Sequence, residues 1–113
     1  MHEVSVMQAA LEIALEQTRA NGGSRIHKMT LRIGAFSGVV ADSLRFAFDV
    51  VTEGTPAEGA ELVIEDVALS CVCETCNQTF EPPGYSLACP NGDDHRTRIL
   101  SGSELDVAAL EIS

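Results

Sequence analysis

Residues 25–33 read Arg25-Ile26-His27-Lys28-Met29-Thr30-Leu31-Arg32-Ile33, and this stretch indicates a half-buried strand. Its apolar and polar side chains alternate, which is the period of a strand with one buried face. The residues expected on the buried face are His27, Met29, Leu31 and Ile33. His27 is therefore interpreted as a partly buried packing residue rather than as a metal ligand.

One amphipathic helix is predicted before this strand in the sequence, and a second one after it. The first extends to about Ala20, and its apolar stripe consists of Val4, Met7, Leu11, Ala14, Leu15 and Thr18. Ser5 and Gln8 fit a capping box at its start. The second helix is predicted to be capped by Asp42 or Ser43 and to end at Gly54.

Two further strands are predicted, at residues 60–69 and 104–112, with a segment of different character between them. Residues 71–100 hold all four cysteines and three of the four prolines, and they show no clear periodicity. The predicted class is α+β, a small α-β-α-β-β domain with an inserted zinc-ribbon-like module. The domain comprises residues 1–69 plus 101–113, and the insert comprises residues 70–100.

The composition indicates a folded and acidic chain. Its 113 residues are 45% hydrophobic, which suits one domain, or one domain with an insert. The net charge of −10 counts against binding to nucleic-acid phosphates or to an anionic membrane surface. We find no pattern of an export signal or a membrane span, so we expect a reducing cytoplasm, where cysteines more often bind metal than form disulfides.

Three cysteines have the spacing of a zinc site. Two residues separate Cys73 from Cys76, as in a zinc knuckle. Cys89-Pro90-Asn91-Gly92 begins like a second knuckle but has Gly92 where another cysteine would stand. Three thiolates leave one tetrahedral position to fill. The candidates are His95, which we favour, then Cys71, and further Asp93, Asp94, a water molecule or a ligand from another chain.

The same Cys-x-x-Cys spacing also occurs in thiol redox proteins. Those motifs need a helix N-terminus to lower the thiol pKa. Cys76 is followed by Asn77-Gln78-Thr79-Phe80 and then by prolines, which does not predict a helix. Structural zinc is therefore the preferred interpretation, while a redox pair and an iron site of rubredoxin type remain open.

His2 offers a second kind of metal site. A histidine near a chain terminus is more often simply solvated. However, the α-amine of Met1, the deprotonated backbone nitrogen of His2 and its imidazole can close fused chelate rings that suit square-planar Ni(II) or Cu(II). Glu3 can supply a fourth donor through its backbone nitrogen or its carboxylate. Spacing alone leaves both interpretations open.

Met1-His2-Glu3-Val4-Ser5 resembles the start of the HypA/HybF family of hydrogenase nickel-incorporation proteins. The resemblance continues in order along essentially the whole chain, through residues 31–39 (LRIGAFSGV), 44–49 (LRFAFD), 53–55 (EGT), 57–60 (AEGA), the cysteine loop and 101–105 (SGSEL). It implies that His2 and the chain's own N-terminus hold nickel, that Glu3 tunes the site, and that zinc is structural. The family pattern has Cys-Pro-x-Cys, so Gly92 is a departure that affects the zinc site.

The resemblance further implies a nickel metallochaperone rather than an enzyme. Nickel would pass to the large subunit of nickel–iron hydrogenase with the help of a GTPase of the same pathway, and some members also serve urease through its accessory proteins. The chain has no Gly-rich phosphate loop of its own. Two alternatives are a zinc-ribbon module that binds other proteins without a nickel function, and a thiol oxidoreductase that uses Cys73 and Cys76. Whether the chain is a monomer, or a homodimer that exchanges its insert, stays open.

Overall fold

The computed structural model describes residues 2–82, 87–91 and 96–113, and it has the predicted order of elements. Two helices, α1 (Glu3–Ala20) and α2 (Ala41–Thr52), alternate with the strands β1 (Ile26–Gly34) and β2 (Glu61–Val67). Three short strands follow, β3 (Ser70–Cys73), β4 (Thr79–Phe80) and β5 (Thr97–Ser101), before the last strand β6 (Leu105–Ile112). The predicted α+β class is confirmed. Within the described ranges, no helix is long and apolar enough to span a membrane.

The larger sheet has the strand order β2-β1-β6, so β1 is at its centre, a position that the sequence did not predict. β1 and β2 are parallel, and α2 provides the crossover that a parallel pair requires. β6 pairs with the other edge of β1 in the antiparallel direction. The chain therefore leaves this sheet after β2 and returns to it at β6, as the sequence predicts.

Both helices contribute to one hydrophobic core over this sheet. Its buried members are Met7, Leu11, Ala14, Ile26, Met29, Leu31, Ile33, Leu44, Ala47, Phe48 and Ala57. The intervening residues of β1 carry exposed ion pairs to β6, from Lys28 to Glu111 at 3.6 Å and from Arg32 to Asp106 at 3.8 Å. Exposed pairs of this kind add little stability. The core, rather than surface charge, therefore holds the helices in place.

Both helices begin earlier than their predicted caps. α1 begins at Glu3 with His2 in the N-cap position, and no side chain caps it. Ser5 thus lies inside the helix, and the predicted capping box is wrong. α2 likewise starts before Asp42 and Ser43, the residues predicted to cap it. Apolar residues of the first turn of α1 pack against the core. Their burial stabilises helical residues that precede the cap predicted from the sequence.

His27 is exposed, contrary to the prediction that it packs in the core. The pairing of β1 with β6 shifts register between Ile26 and Lys28, and such a bulge reverses the side-chain alternation. Ile26 therefore takes the buried position, with 1% of its surface exposed. The His27 Nε2 and the Ser113 Oγ share a hydrogen bond of 2.6 Å at the surface.

The three short strands form a separate antiparallel sheet in the order β4-β3-β5. None of its residues belongs to the core cluster of the larger sheet. The radius of gyration is 17.3 Å, whereas a compact chain of this length would have about 13 Å. The small sheet therefore lengthens the molecule instead of thickening its main core.

Both links between the two sheets lie against the end of β1. The N–H of Ala35 donates to the carbonyl of Val67 at 2.9 Å, and the N–H of Gly34 donates to the carbonyl of Glu104 at 2.7 Å. A Cβ at Gly34 would lie 2.1 Å from the carbonyl carbon and oxygen of Gly102. Only glycine allows the backbones to approach this closely.

We expect Gly34→Ala to lower the free energy of unfolding by about 3 kcal/mol or more, the upper end of overpacking effects. The new methyl group would have to displace the backbone of Gly102. Gly22→Ala is the control, because Gly22 has a φ of 76° but no atom within 4 Å of its Cβ position. This control should lower the free energy of unfolding by only about 1–2 kcal/mol, which is the cost of placing alanine in the left-handed conformation. Urea denaturation followed by circular dichroism compares the two, and equal stability would contradict the crowding argument.

Candidate metal sites

Three cysteines from two segments meet at one end of the small sheet. The sulfur atoms of Cys73, Cys76 and Cys89 all lie within 4.8 Å of one another. Cys73 is the last residue of β3, Cys76 follows in a turn, and Cys89 comes from a later part of the insert. Cys73 and Cys89 are buried, whereas Cys76 is exposed, so the group opens to solvent on one side.

The turn after β3 points backbone N–H groups at sulfur. The N–H of Cys76 donates to the Sγ of Cys73 at 3.5 Å. The N–H of Asn77 donates to the carbonyl of Cys73 at 2.7 Å, and Asn77 has a φ of 59°. The N–H of Cys73 in turn donates to the carbonyl of Gln78 at 2.9 Å. This is a tight turn of the kind that zinc knuckles have, and no helix begins at Cys73 or Cys76.

The same hydrogen bonds alter the thiol acidity. Burial of the Cys73 thiol raises its pKa, but hydrogen bonds with the backbone and side chain of Cys76, the backbone of Thr75 and the side chain of Cys89 together outweigh burial and lower the pKa from 9.0 to about 6. For Cys89, burial raises the pKa, and the neighbouring sulfurs of Cys73 and Cys76 add to that rise. Thiolates crowded this closely repel one another, and a bound cation removes the repulsion.

The distance between two of the sulfurs fits a tetrahedral zinc ion. Zinc–thiolate bonds of about 2.3 Å place two tetrahedral sulfur ligands roughly 3.8 Å apart. The Sγ atoms of Cys76 and Cys89 are 3.8 Å apart. The favoured fourth ligand, His95, lies outside the described residues, as do Asp93 and Asp94. The alternative, Cys71, is fully buried in β3 and is not part of the sulfur group.

Asn91 is a residue of this site that the sequence analysis missed. Its N–H donates to the Sγ of Cys89 at 3.4 Å, and its side-chain amide donates to the Sγ of Cys76 at 3.9 Å. The same amide donates to the side chain of Gln78. The signal was present, because Cys89-Pro90-Asn91 repeats the start of a knuckle, in which the N–H two residues after the cysteine faces sulfur.

His2 and Glu3 lie at a separate cavity, between the first turns of α1 and α2. The cavity measures about 380 Å³, and its lining consists of His2, Glu3, Val4, Asp42, Ser43, Phe46 and Ala47. His2 is exposed, Glu3 is half-buried, and Met1 lies outside the described residues. Asp42 and Phe46 reach this cavity from α2, and no spacing in the sequence indicates that α2 lies beside the chain start. Unlike the three sulfurs, the imidazole of His2 and the nearby carboxylates are not gathered into one group.

Comparison with known proteins identifies the family. A family model described as "Hydrogenase/urease nickel incorporation, metallochaperone, hypA" matches residues 1–112. The chain belongs to the HypA family. Hydrogenase maturation factor HypA of a Picosynechococcus species is 41% identical, with 99% of each chain covered. The HypA protein of a Roseiflexus species is 43% identical, with 98% of this chain and 91% of the relative covered.

The fold is that of solved HypA structures as well. The solution structure of the Ni metallochaperone HypA from Helicobacter pylori matches with a TM-score of 0.74, over 99% of this chain and 97% of that one. Its sequence is only 24% identical, so this match speaks for the fold alone. The resemblance in sequence to the HypA family is therefore confirmed, and membership makes this chain a hydrogenase maturation factor rather than an enzyme.

Proposed function

We propose that this chain carries Ni(II) in the cytoplasm and binds one ion through the α-amine of Met1 and the backbone nitrogen and imidazole of His2. The observation that carries the proposal is the position of His2 at the N-cap of α1, exposed beside a cavity. An α-helix leaves its first four N–H groups without partners in the helix. Its first hydrogen bond here runs from the N–H of Val6 to the carbonyl of His2. The backbone nitrogens of His2 and Glu3 can thus turn to a metal without breaking the helix.

An exposed chelate also suits a carrier. The ligands must lose protons before they bind, so nickel affinity depends on pH and on contact with a partner. In our proposal the acceptor is the large subunit of nickel–iron hydrogenase, and urease through its accessory proteins is a second destination. A GTPase of the maturation pathway acts as a partner and carries out the GTP hydrolysis that this chain cannot perform. The net charge of −10 favours metal cations over nucleic acid or membrane as partners.

We further propose that Cys73, Cys76 and Cys89 hold one structural Zn(II) with His95 as the fourth ligand. The described residues on both sides of segment 92–95 support a ligand from this segment, and imidazole is the zinc ligand among its candidates that most often joins thiolates. On one side Asn91 donates to the sulfur group, and on the other the carbonyl of Arg96 accepts a hydrogen bond of 2.7 Å from Glu74 in the first knuckle. A four-residue segment anchored at both ends near the sulfurs can supply a ligand to them.

The structural role of zinc follows from the small size of the inserted sheet. Its strands β3, β4 and β5 have four, two and five residues. Sheets this small bury too little apolar surface to be stable without help from a metal or from disulfides. None of the four cysteines forms a disulfide. We therefore propose residues 70–100 as a zinc-dependent insert and residues 1–69 plus 101–113 as the nickel-binding domain.

Hydrogenase maturation in cells tests the function. In a hydrogen-metabolising host that lacks its own HypA protein, expression of this chain should restore hydrogen-dependent dye reduction and nickel in the hydrogenase large subunit. His2→Ala should restore neither, because the carrier would arrive without its ion. If His2→Ala restored both fully, the chain would act as a protein-binding module without a nickel function. The thiol oxidoreductase alternative would show instead as disulfide-exchange activity in protein without bound metal.

A further inference from the structure

Phe46 is an aromatic residue on the outside of the fold. Its side chain is 72% exposed, although the chain contains only 4% aromatic residues. The neighbours that fix the orientation of α2 are Leu44, Ala47 and Phe48, which are buried in the core. With those three turned inward, residue 46 is directed away from the sheet. A single exposed apolar residue is common on protein surfaces and needs no explanation by itself, so the reason to single out Phe46 must come from its position.

The position of Phe46 offers that reason. It lines the cavity of about 380 Å³ together with His2 and Glu3. Val4 and Ala47 line the same cavity with apolar groups, while Asp42 adds a carboxylate. The nickel chelate of our proposed function would therefore have an apolar wall on the side of α2. An apolar shell around a metal site controls the access of water and the local dielectric.

We propose that Phe46 forms an apolar wall beside nickel bound at His2 and slows the exchange of that nickel with water and competing ligands. The inference rests on the proposed N-terminal nickel site and assigns a positioning residue to it. An exposed terminal chelate would otherwise lose its ion to any small chelator. A wall on one side retains the ion during diffusion, while the opposite side stays open to a partner.

Nickel release to a chelator tests this role. Tag-free protein loaded with one Ni(II) is mixed with excess EDTA, and the decay of the nickel absorption band is followed in time. Phe46→Ala should release nickel about tenfold faster, the lower end of what residues around the ligands contribute. Phe46→Leu should stay near the parent rate, because leucine keeps the wall apolar. Thermal unfolding of each nickel-free variant verifies that the fold is retained.

Val50→Ala is the matched control. Val50 is 53% exposed and follows Phe46 by one turn of α2, but it does not line the cavity. The inference requires fast release in Phe46→Ala and the parent rate in Val50→Ala. Equal rates in Phe46→Ala and the parent, or equally fast release in both alanine variants, would overturn it. If His2→Ala bound nickel as the parent does, the proposed site itself would fail, and this inference with it.

Discussion

Replacement of His2 by alanine is expected to weaken nickel binding by more than about 100-fold. Loss of a direct ligand should exceed the largest effects of residues that only surround a site, which reach about 100-fold. The variant keeps the α-amine of Met1 but cannot close the imidazole ring of the chelate. Isothermal titration calorimetry of tag-free protein with Ni(II) measures the change. The helix should be unaffected, because no side chain of residue 2 caps it.

The control for His2→Ala is His27→Ala. Both histidines are exposed, but His27 lies at the start of β1 and shares a hydrogen bond with Ser113 instead of lining the cavity. Its removal should leave nickel affinity unchanged. A Gly-Ser extension of several residues before Met1 should weaken binding as His2→Ala does, because it moves the amine away from the imidazole. Unchanged affinity in both the extended protein and His2→Ala would exclude a terminal chelate.

The pH dependence of binding follows from the same donors. The α-amine and the amide nitrogen must each lose a proton before they can bind nickel. Nickel affinity should therefore fall as the pH falls, and the proton release measured in buffers of different ionisation enthalpy should exceed one per nickel. This proton release is expected from the terminal chelate alone, because zinc would already occupy the thiolates of the insert.

The sequence predicted the order of the elements because each core-facing segment shows its own period. The alternation around Met29 and Leu31 indicates a strand, and the three- and four-residue spacing around Met7 and Leu11 indicates a helix. Tertiary structure decided what local patterns could not. A bulge moved His27 out of the core, and burial of the first turn carried α1 back to Glu3.

The residues of the candidate sites also fall into two groups, those that local spacing predicts and those that only tertiary packing brings together. Cys73 and Cys76 were predictable because their spacing alone brings two sulfurs together in a tight turn. The position of Phe46 and Asp42 beside His2 was not predictable, because it depends on how α1 packs against α2. No pattern within either helix encodes that contact. Residues joined by a local turn can thus be found from sequence, whereas residues joined by packing require the structure.

Cys73→Ala should remove zinc from the insert and unfold it, whereas Cys71→Ala should do neither. Both cysteines are fully buried in β3. Each substitution therefore removes one buried sulfur atom from the same strand. Only Cys73 belongs to the sulfur group. Cys71→Ala should cost about 1 kcal/mol of stability, as the loss of one small buried group usually does. Metal analysis should find one zinc per chain in the parent and in Cys71→Ala, and much less in Cys73→Ala.

The consequences of Cys73→Ala should stay within the insert. Zinc supplies the folding energy of domains that lack a core of their own. Hydrogen exchange should therefore quicken in β3, β4 and β5, while α1 and β1, which share the large core, keep their protection. X-ray absorption at the zinc edge of the parent should show three sulfur ligands and one nitrogen. Four sulfur ligands would reject His95, and full zinc in Cys73→Ala would reject Cys73 as one of the four ligands of a closed tetrahedral site.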